Sequence, residues 1–166
     1  MPTLNAEKTE IIAKKLKGVL FIEGVINFFC SLILNALCAF GLNSAEDRVG
    51  VDPIGVMVDT MITGFCVTFL TICFSTAASK RYRKLGLFLR TPQGVLQRLP
   101  EEPLYLVVAL MLPSCLCLTI IFNAVFIILG ITSLPLTAYI LFKGFWGGAF
   151  GVFVAITTIK RLLLRD

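Results

Sequence analysis

The chain has 166 residues, 57% of them hydrophobic, with a mean hydropathy of +0.91 and a formal net charge of +5. Soluble domains are about 45–50% apolar, so an ordinary soluble globule is excluded. The chain holds no histidine, which excludes imidazole ligation of metal or haem, His-based acid–base chemistry and Ser-His triads.

The first stretch is charged, with Lys8, Lys14, Lys15 and Lys17, and reads as a tail. A first apolar span follows over 18–41. It carries Glu23 and Asn27, which are foreign to the apolar core of a cleavable leader, so no processing is expected. Glu23, Asn27, Ser31 and Asn35 follow at i+4 steps. Each step turns a helix by about 40°, so they form one slowly winding polar stripe. The stripe could line a route for protons or small ions, or it could be interhelical glue, because Asn and Ser hydrogen-bond across membrane helices. Lys15 or Lys17 could reach Glu23. A carboxylate left unpaired in lipid can carry a proton, which makes Glu23 a candidate coupling residue.

The second span covers 54–79, with Asp59 near its start. The loop KRYRKLGLFLRTPQGVLQRLPEEP (80–103) mixes basic residues with Leu85, Leu87, Phe88 and Leu89. It reads as a segment on the inner leaflet in contact with anionic lipid. The third span, 104–130, contains Pro113, which predicts a kink. The fourth, 134–159, contains ILFKGFWGGAFGVF, with Lys143 set in an apolar, glycine-rich run. Gly144 with Gly148, and Gly147 with Gly151, form ladders at a spacing of four that allow close backbone approach.

Each span matches the roughly 20 residues that cross a hydrocarbon core about 30 Å thick. Backbone groups in lipid must be satisfied internally, so the spans are expected to be helices. The expectation is an all-α integral membrane protein, one membrane domain over 1–166 with four transmembrane helices. Basic residues sort cleanly. They occupy the tail, the connection after span 2 (Lys80, Arg81, Arg83, Lys84, Arg90, Arg98) and the C-terminal end (Lys160, Arg161, Arg165), whereas the other two connections hold only Arg48. The positive-inside rule then places both termini and the 80–103 loop in the cytoplasm.

The halves resemble each other. ILNALCAFG (33–41) matches IFNAVFIILG (121–130), and STAASKRYRK (75–84) matches AITTIKRLLLR (155–165). This predicts two parallel two-helix repeats related by an axis along the membrane normal. By counting about 1.5 Å per residue, Asn35, Asp59, Asn123 and Lys143 fall in one outer layer, roughly 6–10 Å from the midplane. Lys143 is expected to pair with Asp59, its counterpart in the other repeat, with the two amides completing the hydrogen bonds. The quartet could be a binding or permeation site or could only fix helix register, and Lys143 could instead snorkel outward.

Six cysteines, Cys30, Cys38, Cys66, Cys73, Cys115 and Cys117, all lie within spans and read as small core residues. No cofactor, metal site, catalytic arrangement or nucleic-acid interaction is expected. The pattern E-x3-N-F (Glu23, Asn27, Phe28) followed by Asn35-Ala36, with Phe142, Lys143 and Trp146 later, resembles small bacterial four-span proteins of permease-like type. The resemblance implies the four-helix fold and a bacterial inner membrane. Two functions stay open: a small transporter or channel, expected to be oligomeric, or a structural subunit of a membrane complex.

Overall fold

The computed structural model describes residues 2–89 and 94–164. Arg90 and Arg165 of the expected basic clusters lie outside the described residues. The elements in chain order are α1 (Pro2–Asn43), β1 (Arg48–Gly50), α2 (Pro53–Lys84), α3 (Gly94–Gln97), α4 (Pro103–Ile128), β2 (Ser133–Pro135) and α5 (Leu136–Leu163). Among the described residues, four helices are long and apolar enough to cross a membrane: Ile11–Asn43, Pro53–Lys84, Pro103–Ile128 and Leu136–Leu163.

Three of the spans agree with the sequence reading to within a few residues. The first does not, because the charged tail continues α1 as helix. Residues 3–17 hold no glycine or proline and are rich in Ala, Glu, Lys and Leu, all strong helix formers. Leu16 is also buried against Ile159 and Leu163 at the end of α5, which fixes this extension to the bundle.

The helix ends follow local chemistry. Asp52 caps α2, its Oδ1 accepting from the Ile54 and Gly55 amides at 3.1 and 2.9 Å, with Pro53 at the first helical position. Helices α2 and α4 both end on a left-handed glycine, Gly86 (φ 73°) and Gly130 (φ 64°). At each end the following amide reaches back into the last turn: Leu87 N to Tyr82 O at 3.1 Å, and Ile131 N to Phe126 O at 2.9 Å. Only glycine takes that conformation without steric cost.

Helix α5 packs between α1 and α2, and α2 packs between α5 and α4. Helices α2 and α5 run the same way. Asp59 meets Lys143 near their starts, and the Arg83 Nε donates to the Leu162 carbonyl near their ends. The connections that precede them join as an antiparallel strand pair, Val49 opposite Leu134. This defines a strand end of the bundle. At the opposite, loop end, Leu89 N donates to Leu163 O at 2.8 Å.

The interior is apolar near both ends, with Val56, Phe122, Phe126 and Tyr139 toward the strands and Ile72, Leu106 and Val154 further along. The outer faces are also apolar: Phe21 is 73% exposed and Ile128 80%. In water such a surface would be a continuous aggregation patch. In hydrocarbon it is the expected lipid-facing belt. The chain is an integral membrane protein built as a four-helix bundle.

Candidate intramembrane polar site

The polar site grows from two helical turns that face each other across the α2–α5 contact. Asp59 and Thr63 are four apart on α2, and Tyr139 and Lys143 are four apart on α5, so each pair lies on one helix face. The Lys143 Nζ lies 2.8 Å from Asp59 Oδ2 and donates to Thr63 Oγ1 at 3.2 Å. Thr63 in turn donates to the Asp59 carbonyl at 2.7 Å. The Tyr139 hydroxyl donates to Asp59 Oδ2. Lys143 is only 6% exposed, so it does not snorkel. Asp59 Oδ1 is buried without a protein hydrogen-bond partner.

The sequence reading paired the right ions but gave them the wrong supporting groups. The two amides do not complete the site. Asn123 donates to the Pro53 carbonyl at 3.4 Å, away from the pair. Asn35 donates to Ser31 O on its own helix at 2.9 Å, although it does line a small cavity shared with Lys143. Thr63 and Tyr139 hold the pair instead. Their signal was readable, since a hydroxyl sits four residues from each charge.

Two spaces flank the pair. On the strand side, a polar vestibule of about 330 Å³ is lined by Asn43, Glu46, Asp52, Asp59 and Tyr139 among others. Among the described residues, three carboxylates and no basic side chain line it, which favours cations and protons there. Beyond the pair lies a cavity of about 30 Å³ lined by Asn35, Thr60, Thr63, Lys143 and Trp146 among others. That is room for a water molecule and little more. At the loop end, a third space of about 260 Å³ is lined by Thr76, Ser79, Lys80, Arg83 and Glu101 among others.

The stripe on α1 has a different fate. Glu23 accepts a 2.5 Å hydrogen bond from the Tyr82 hydroxyl of α2. Lys15 and Lys17, the partners the sequence suggested, are exposed. Asn27 donates to Glu23 O at 2.8 Å. Asn27, Ser31 and Asn35 are buried against the glycine ladders of α5. A Cβ on Gly147 would overlap the Asn35 side chain, and one on Gly151 would overlap Ser31. A Cβ on Gly148 would come within 2.9 Å of the Phe28 ring, and one on Gly144 within 3.4 Å of the Leu32 carbonyl. The stripe and the glycines therefore form one close helix–helix contact, with Asn35 and Gly147 at the edge of the small cavity.

All six cysteines are free, and buried Cys115 fills the space left by Gly64. Trp146 makes edge contacts with Phe122 and Phe145 at 5.5 and 6.1 Å and walls the small cavity. No protein-family model, curated protein or solved structure matches the chain.

Proposed function

We propose that the chain is a small transporter or channel that moves a proton, small ion or small solute across a bacterial inner membrane. The reading rests on one observation: in the buried Asp59–Lys143 pair, Asp59 lines an acidic vestibule, Lys143 lines the small cavity beyond, and Asp59 Oδ1 is left unpartnered. An ionisable pair at membrane depth carries a large desolvation penalty and is characteristic of substrate and ion routes. A pair meant only to fix helix register would have its remaining lone pairs satisfied.

In this reading the strand end faces outward and both termini and the 80–103 loop face the cytoplasm, as the basic clusters require. Lys80, Arg81, Arg83 and Lys84 then meet anionic headgroups of the inner leaflet. The two halves are parallel repeats about an axis between α2 and α5. In support, the aligned halves match Asp59 with Tyr139 and Thr63 with Lys143, both matched pairs are hydrogen-bonded across the α2–α5 contact, and the two connections that precede these helices pair as strands. The permease-like resemblance of Glu23, Asn27, Phe28 and Asn35 points the same way, and in this reading the protein works as an oligomer.

The accessory-subunit reading has its own support in α1, where Asn27, Ser31 and Asn35 of the polar stripe pack on the glycines of α5 and Glu23 bonds Tyr82 of α2. Flux separates the two. Purified protein in proteoliposomes is tested for proton, sodium, potassium and chloride flux under an imposed pH gradient and voltage, beside Asp59→Asn. Flux that disappears in the folded variant supports transport through this site. Equal flux in both places the route elsewhere, and absence of flux from folded, unaltered protein favours the accessory role.

A further inference from the structure

Among the described residues, six buried hydroxyls have no protein hydrogen-bond partner: Thr60, Thr68, Ser75 and Thr76 on α2, Thr119 on α4 and Thr158 on α5. Thr63 and Ser79, by contrast, donate to carbonyls of their own helix at 2.7 Å. Native interiors leave few such groups unsatisfied, and a cluster of them calls for water or an ion. Three of the six lie in line. At 100° per residue, unpartnered Thr60, Thr68 and Ser75 fall with buried Thr71 and Ser79 within an arc of about 100° on α2, and the five extend over about 28 Å. That length is close to the full hydrocarbon thickness of about 30 Å.

The α2 hydroxyls run between the three spaces. Asp59 lines the strand-end vestibule, Thr60 and Thr63 the small cavity, and Thr76 and Ser79 the loop-end space, with Thr68 and Ser75 in the packed interior between them. Cys115 seats on Gly64, which brings Thr119, one turn further along α4, level with Thr60.

We infer that the α2 hydroxyls line a hydrated column from Asp59 to the loop-end space, and that the species it carries is the proton. This rests on the transport reading above and names its substrate. A cavity of about 30 Å³ admits a water but no hydration shell. Dehydrating a metal ion takes rings of carbonyls or charges, and this column offers separate neutral hydroxyls. A proton needs neither. It binds Asp59 Oδ1 from the vestibule and leaves to the next water, which restores the carboxylate; each hydroxyl and water passes on one proton as it receives another.

The test uses proteoliposomes with a trapped pH-sensitive dye and a potassium–valinomycin voltage. T68V and T68V/S75A keep side-chain size but remove hydroxyls. The expected result is at least a ten-fold loss of proton flux in the double variant, with T68S recovering most of what T68V loses. Undiminished flux in T68V/S75A overturns the column. Osmotic water flow without proton flux overturns the proton assignment.

If the unaltered protein carries no protons, the transport reading fails, and the column is judged by its water alone. In a background with all six cysteines replaced by alanine, T68C and S75C should react with silver ion, because a thiol reacts as the hydrated thiolate. I72C is the dry control, since Ile72 on the same helix lies in the apolar cluster with Leu106 and Val154. Failure of both T68C and S75C to react while folded overturns the column whatever the flux.

Discussion

Lys143→Met removes an ammonium from a closed arrangement. Asp59 Oδ2 keeps only Tyr139, and Oδ1 already has no protein partner. Breaking a buried ion pair from one side costs about 3–5 kcal/mol, whereas replacing both partners by apolar groups of similar volume is about neutral. For a chain of this size each kcal/mol shifts Tm by about 2–4 °C, so the single variant should lose about 6–20 °C. Asp59→Leu should lose a comparable amount, because it strands the Lys143 ammonium and the Tyr139 hydroxyl. The double variant Asp59→Leu with Lys143→Met should regain most of the loss. Thermal unfolding in detergent micelles, followed by circular dichroism, gives all four corners of the cycle. The expected coupling energy is about 3 kcal/mol or more. Ordinary hydrogen bonds between membrane helices couple by about 0.6 kcal/mol on average. A coupling no larger than that would refute the claim that the pair is a closed, desolvated unit and would reduce it to one polar contact among many.

Exchanging the charges, Asp59→Lys with Lys143→Asp, should recover part of the stability lost in either single variant, since Thr63 and Tyr139 can serve both orders; pulse proteolysis would show it. Gly151→Ala should destabilise by about 1–3 kcal/mol through overlap with Ser31, and Ser31→Gly in the same chain should restore it. Gly41→Ala meets nothing within 4 Å and should stabilise α1 by about 0.5–1 kcal/mol, read by the same unfolding assay. Tyr82→Phe should cost about 1–3 kcal/mol by leaving Glu23 without its donor. Glu23→Gln keeps an acceptor for Tyr82 and should leave both stability and flux nearly unchanged.

The four spans were legible because apolar runs of membrane length have few other uses. The extension of α1 was not, because a charged stretch without apolar periodicity carries no signal beyond its helix formers. The Asp59–Lys143 pair was legible because opposite charges at one depth in lipid have little choice of partner. Its supporting groups were missed because counting residues gives depth but not direction around the helix. Asn123 has nearly the right height and points to Pro53, while Thr63 and Tyr139 carry no hydropathy signature. Glu23 was assigned to lysines because span 2 was ended at residue 79. The helix continues to Lys84, and that extra turn brings Tyr82 to α1.

The two polar stripes in the bundle separate on where their hydrogen bonds go. On α1 the Asn27 and Asn35 amides fold back onto carbonyls of their own helix and lie flat against glycines. The amide donors there are taken up within α1, and the helix pair closes tightly on the glycines. On α2 the stripe is built of hydroxyls, and three of them, Thr60, Thr68 and Ser75, are left without a protein partner. Polarity alone favoured the amide stripe with its carboxylate, which is the stronger mark in the sequence. Unsatisfied hydrogen-bonding capacity favours the hydroxyl stripe, and it begins one residue after the carboxylate whose Oδ1 is itself unpartnered. A route for protons needs groups that can still accept and donate, so α2 and not α1 is the helix on which substitutions should alter flux before they alter stability.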